Sequence, residues 1–309
     1  MADYISKLQR LLEEDEFVVC SEMGPPVGAD PDFIRKKADY LKGYVDAVNI
    51  TDNQTAIVRM SSIAAAKIAA DEGLEMIIQA TGRDRNRIGI QSDLLGASAL
   101  GLRNVLCLTG DHQCFGMDEG AKNVFDLDSV SMLKAARSMV DEGILLNGKE
   151  MDFPPKLFLG GAANPFADPF ELHLMKIEKK VEVGMEFIQT QAIYNLEKFD
   201  RWMEEIRRRG IHERCHIMAG ILPTKSVKAL RMMKKHVAGM DVPDDIIERM
   251  DKAEDKKEEG VRMAVDIIEH VRKIEGVRGI HLMPVAWEEI TPRVVEEAGL
   301  YPRPEVSEI

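Results

Sequence analysis

"FVVCSEMGPP" (17–26) decides the fold. Phe17 to Cys20 are apolar without alternation, as in a strand covered on both faces. The run ends on a carboxylate, Glu22, and Pro25-Pro26 follow within four residues. A proline pair cannot continue a strand ladder, so the chain must leave the sheet there. A doubly wound nucleotide-binding sheet usually opens its first crossover with Gly-x-Gly-x-x-Gly, and no such turn follows this strand. The nearest glycine-rich stretches, "LLGASALG" (94–101) and "LGGAAN" (159–164), lack that spacing.

Seven further runs of the same kind follow: "VDAVNIT" (45–51), "EMIIQAT" (75–81), "NVLCLTG" (104–110), "KLFLGGA" (156–162), "FIQTQA" (187–192), "HIMAGI" (216–221) and "GIHLMP" (279–284). Helical patterns separate them. "DPDFIRKKADYLKG" has Pro31 in its first turn and Gly43 as a stop, and Val261, Ala264, Val265, Ile268 and Val271 repeat at helical spacing within 261–274. Alternation of this kind over about 280 residues predicts an α/β chain folded as a single (β/α)8 TIM barrel. No internal repeat or linker divides residues 1–309. Ile5, Leu8, Leu11 and Leu12 space like one face of an N-terminal helix. Two connections are long: 111–127, and the charged 239–258, which reads as a helical extension before the last barrel helix.

Acidic residues outnumber basic ones, 53 to 41, giving a net charge of −12 and arguing against a nucleic-acid partner. No run of about 18 apolar residues exists to span a membrane. The N-terminus has no secretory h-region, so the cytoplasm is the expected location. Cys20, Cys107, Cys114 and Cys215 form no C-x-x-C pair, and buried free thiols are expected rather than a metal site. Any iron–sulfur centre must therefore come from another chain.

The strand exits carry the polar residues. They are Glu22, then Thr51 to Gln54, Gln79 and Thr81, Thr109-Gly110-Asp111, Gly160-Gly161 and Asn164, Gln189 and Gln191, Gly220, and His281. A parallel barrel brings these exits to one end, where active sites form. No H-E-x-x-H, P-loop or Ser-His-Asp order is present, so hydrolytic and nucleotide-triphosphate chemistries lack their parts. Two acids among amides suit a planar, nitrogen-rich ligand, since an amide both donates and accepts. Glycines would let backbone approach such a ring. Each residue alone has a plainer reading: Asp111 as a turn or cap, Gln191 as a partner for buried backbone, Glu22 paired with a barrel cation.

Taken together, these segments resemble the methylenetetrahydrofolate reductase family. "SEMGPP" is similar to that family's F-E-F-F-P-P, "VNITDNQ" to V-T-Y-G-A, and "LTGDH" to L-R-G-D. "KKVEVGMEFIQTQ" (179–191) resembles K-R-K-V-D-A-G-A…T-Q, and "GILP" (220–223) is identical to the family's strand-seven exit. "TDNQTA…RDRN…QSDLLGA…LTGDH" resembles the form found in anaerobes that use the acetyl-CoA pathway, where the barrel works beside a cysteine-rich, iron–sulfur partner subunit.

The resemblance implies a flavin-dependent reduction of 5,10-methylenetetrahydrofolate to 5-methyltetrahydrofolate. Glu22 would be the acid that protonates N10, and a carboxylic acid partly removed from water holds its proton more firmly. Asp111 would be an anion beside flavin and substrate, and Gln191 a contact to the pterin or flavin edge. Thr51, Gln79, Thr81, Gly110, Asn164 and Lys180 would face the cofactor; Lys180 in "EKKVE" also reads as a solvated helix lysine. Departures from the family pattern at Thr109, Gln79, Gly160 and Val227 remove a phosphate-binding cation, a histidine and two aromatics. FAD is the expected cofactor with FMN the alternative, and electrons would arrive through the partner. Homo-oligomers are compatible with this reading. Two others stay open: a flavin-free pterin-binding methyltransferase barrel, and a non-catalytic scaffold subunit.

Overall fold

The protein is described by a computed structural model covering residues 4–237 and 239–306. Eight strands form a closed barrel in chain order: β1 (Val18–Met23), β2 (Ala47–Ile50), β3 (Met76–Thr81), β4 (Asn104–Leu108), β5 (Phe158–Ala163), β6 (Phe187–Ala192), β7 (His216–Ile221) and β8 (Val277–Leu282). All neighbours are parallel, and β1 closes on β8 with Cys20 opposite His281. This is the (β/α)8 barrel that the apolar runs imply. Each run is apolar on both faces because alternate residues enter two different cores. Cys20, Ile77, Leu106, Phe158, Phe187 and Met218 fill the barrel interior. Val19, Ile78, Val105, Leu159, Ile188 and Ile217 pack outward under the helices.

Helix α1 (Lys7–Glu13) closes the N-terminal end by adding Leu8, Leu11 and Leu12 to the interior core. Its N-cap explains how it stays there. Ser6 accepts from the Gln9 N–H at 3.1 Å and donates its hydroxyl to Asn104 Oδ1 at 2.7 Å. Asn104 in turn donates to Glu75 Oε1 and to the Met76 carbonyl. Beside it, buried Asp46 accepts from the Val19 N–H at 2.8 Å and from Arg303 at 2.6 and 3.1 Å. Arg303 also donates to the carbonyls of Phe17 and Leu300, tying the C-terminal segment to β1.

The remaining helices follow their strands. They are α2 (Pro31–Leu41), α3 (Ser62–Asp71), α4 (Arg87–Ala99), α5 (Ser129–Asp141), α6 (Phe170–Glu182), α7 (Leu196–Arg208) and α8 (Val227–His236). The charged stretch 239–258 holds a separate helix, α9 (Asp244–Lys252), as its composition suggests. The 261–274 pattern belongs to α10 (Lys256–Val271), which leads into β8; α11 (Thr291–Glu297) then follows β8. The 111–127 connection contains only a 3₁₀ turn at Gln113–Phe115.

The strand-exit glycines make room for protein rather than ligand, contrary to the sequence expectation. A Cβ on Gly160 would lie 2.2 Å from the Phe187 ring, and one on Gly220 would lie 2.4 Å from the Thr190 carbonyl oxygen.

Arg303→Met should leave Asp46 a buried anion whose remaining cation is Lys7 Nζ, 3.6 Å from Oδ1. A loss of roughly 3–5 kcal/mol in urea unfolding is expected. A loss under about 1 kcal/mol, the worth of a surface pair, would contradict this role.

Candidate active site

Residues two apart on a strand share a face, so the interior placement of Val18 and Cys20 carries Glu22 inward at the C-terminal mouth. The chain after it is held at three successive carbonyls. Gly24 accepts from Lys37 Nζ at 3.3 Å, Pro25 from Arg59 at 2.9 Å, and Pro26 from the Met60 N–H at 2.9 Å. Lys37 is also ion-paired with buried Glu288. The stiff exit in the sequence therefore fixes where strand one delivers its carboxylate.

Glu22 has two neighbours on one oxygen. Gln79, from β3, donates Nε2 to Oε2 at 3.2 Å, and His281 Nε2, from β8, lies 3.6 Å from the same Oε2. The side chains of Glu22 and His281 are 13% and 5% exposed. They line a cavity of about 360 Å³ together with Gln79, Asn164, Lys180, Gln189 and Gln191. Gln189 is locked by a reciprocal amide pair with Asn49 across the barrel, at 2.6 and 2.9 Å. Gln191 accepts from the Ala192 N–H through Oε1, which leaves Nε2 to donate.

Lys180 is buried, not solvated. Its Nζ donates to the Ala162 carbonyl at 2.7 Å. Burial, with Lys176 nearby, lowers its pKa from 10.5 to about 8. Lys176 and His173 line the same cavity from α6. Asn164 accepts from the Phe166 N–H at 3.0 Å.

The other residues singled out by sequence gather beside this cavity, on the β2 to β4 exits. Thr51 is buried with no partner for Oγ1. The Thr81 N–H donates to Asp52 Oδ2 at 3.0 Å, and Asp52 holds Arg85 in a bidentate pair. Gly110 has φ +90, and a Cβ there would lie 2.3 Å from Thr81 Cγ2, so only glycine fits. Asp111 is exposed and stands outside the cavity lining. Its carbonyl accepts from buried Arg83, which also reaches the Asn53 carbonyl and so joins the exits of β2, β3 and β4.

Sequence reasoning gave no role to His281 and overlooked Asn49, His173 and Lys176. The helical spacing of 173, 176 and 180 was the available signal for the last two. Asn49 offered none, because an amide inside an apolar run does not announce its partner. Among the described residues, no group of three or more His, Cys, Asp or Glu is placed to hold a metal. No described helix is long and apolar enough to cross a membrane. Burial pushes the Cys107 thiol up to about 12 and raises Cys20 and Cys215 as well, so these are inert neutral thiols; Cys114 is exposed.

A family model described as methylenetetrahydrofolate reductase matches residues 7–299. The chain belongs to the methylenetetrahydrofolate reductase family. It is 21% identical to a probable methylenetetrahydrofolate reductase (NADPH) of Caenorhabditis elegans, over 96% of this chain and 44% of the relative. With the 5,10-methylenetetrahydrofolate reductase of Escherichia coli it shares 22% identity over 65% of this chain and 62% of the relative. It spans less than half the length of the nematode relative, and 33% of methylenetetrahydrofolate reductase 1 of Schizosaccharomyces pombe. Among solved structures, a Clostridium thermocellum protein described as binding two copies of 5-methyl-5,6,7,8-tetrahydrofolic acid aligns with a TM-score of 0.63. It covers 95% of this chain and 98% of its own at 16% identity, a likeness of fold.

The lowered pKa of Lys180 gives a signed prediction. Between pH 8 and 10.5 the unfolded chain keeps a proton that the native lysine has released, so stability should rise with pH across that window. Lysine side-chain NMR should show one resonance titrating near 8 that is absent from Lys180→Met. Finding every lysine at or above about 10 would contradict the burial argument.

Proposed function

We propose that this chain reduces 5,10-methylenetetrahydrofolate to 5-methyltetrahydrofolate with a bound flavin. The observation that carries this reading is the carboxyl group of Glu22, largely removed from solvent at the edge of an amide-lined cavity. Membership of the family supports it, as does a fold neighbour described as binding 5-methyltetrahydrofolic acid.

The residues fit a flat heterocycle with a polar tail. Thr51 Oγ1 is an unspent buried hydroxyl, Gln191 has a donor to offer a ring edge, and Lys180 is a buried amine that an anion or chain hydroxyl would engage. Thr51, Thr81, Gly110, Asn164 and Lys180 would hold the flavin, FAD or FMN. When bound, the flavin supplies the hydride.

The chain's own groups do the rest. Glu22 gives its proton to N10 of the substrate, opening the five-membered ring to the 5-iminium cation that accepts hydride. Gln79 holds Oε2 of that carboxyl group, so the acid is presented in one orientation. Gln191 hydrogen-bonds the pterin edge. Asp111, exposed at the rim of the same mouth and outside the cavity lining, would act as an anion only from that rim, where bound flavin and substrate would have to reach it. Electrons would reach the flavin from a cysteine-rich iron–sulfur partner subunit, as the resemblance of the 51–112 segments to the form found in acetyl-CoA-pathway anaerobes implies.

Glu22→Gln keeps the size and one hydrogen-bonding pattern but removes the acid. Folate turnover should fall by roughly 10²–10⁴-fold while reduction of the bound flavin by dithionite is unchanged. Turnover equal to that of the unmodified protein would remove Glu22 from the mechanism.

A further inference from the structure

Donating a proton leaves Glu22 as a carboxylate, and each new cycle requires that proton back. His281 is the cavity group nearest the acid whose chemistry suits the task. Its Nε2 lies 3.6 Å from Glu22 Oε2, and its side chain is 5% exposed. That separation is slightly long for a hydrogen bond, as catalytic contacts often are before substrate binds.

The other ring nitrogen is informative. Buried histidines ordinarily have both nitrogens partnered, and the bond made by one fixes the tautomer at the other. His281 Nδ1 is buried with no hydrogen-bond partner. No protein group draws on Nδ1, so the contact open to the ring is the one its Nε2 makes toward Glu22. A histidine retained only for packing would not need to face a carboxylate across a ligand cavity. Gln79, the other group on Oε2, holds that oxygen but has no proton to give.

We propose that His281 is a positioning residue that returns the proton to Glu22 between turnovers. The inference rests on the reductase reading above. The balance is simple: His281 takes a proton from solvent in the open cavity, and the Nε2–H bond breaks as the O–H bond of Glu22 forms. The ring is left neutral, and no electrons move. Other ionisable groups face this pair. His173, Lys176 and Lys180 stand on the α6 side of the cavity, and Cys20 lies opposite His281 in the β1–β8 register.

The test separates the first turnover from later ones. Reduced, flavin-loaded protein is mixed rapidly with 5,10-methylenetetrahydrofolate, and flavin reoxidation is compared with steady-state turnover driven by a reduced viologen. His281→Ala should complete its first turnover at the rate of the unmodified protein, because a first turnover spends no returned proton. Its steady-state rate should fall roughly 10²-fold, within the range for a proton-transfer group. Added imidazole should restore the steady state. His281→Gln, which keeps an N–H but cannot carry the proton, should behave the same and guards against misfolding of the alanine variant. Equal slowing of first and later turnovers, an unaltered steady state, or no rescue by imidazole would overturn the proposal. If the unmodified protein binds flavin but methylene-folate does not reoxidise it, the reductase reading itself fails, and this inference with it.

Discussion

Closure of β1 onto β8 is the constraint on which the site depends. It sets Cys20 opposite His281, and with the two-residue strand period it brings Glu22 and His281 to the same mouth from opposite ends of the sequence. The β1–β2–β3 register adds Gln79 to the same carboxylate oxygen. The interior beneath is filled by Phe158, Phe187 and the α1 leucines, so the barrel is a packed core below and a polar cavity above. A slip of one residue in β1 would turn Glu22 into the apolar layer under the helices.

The two ends of the barrel show a division of labour. At the N-terminal end, several buried polar groups are spent on one another, although Asp46 Oδ1 has no hydrogen-bond partner. Asp46 is matched by Arg303, and Asn104 links Ser6 to Glu75. At the C-terminal end Thr51 Oγ1 and His281 Nδ1 remain without partners, and a buried lysine with a lowered pKa stands beside them. Polar groups that lack partners in low dielectric cost stability, and the two at this mouth stand where a ligand could satisfy them.

The barrel was legible because its strands are covered on both faces and so appear as apolar runs. Helix α11 was not, since two turns with three buried residues carry little period. Glu22 was legible from the carboxylate after such a run, with the prolines fixing its exit. The depth of Lys180 was not, because "EKKVE" reads alike on a solvated or a docked helix, and only packing of α6 over β5 decides it. Asp111 was placed correctly at a strand exit, yet its exposure depends on Arg83 holding the backbone there, a contact 28 residues away in sequence. The strand-exit glycines were misjudged for a similar reason: the atoms that need their space, such as the Phe187 ring, belong to the neighbouring strand.

The most direct check on this account is the visible spectrum of the purified protein after FMN and FAD are offered, with mass analysis of any chromophore released. The account predicts a tightly held flavin that bleaches with dithionite and is displaced or perturbed by Lys180→Met. A protein that stays colourless with both cofactors would contradict the central claim that this barrel mouth is a flavin site.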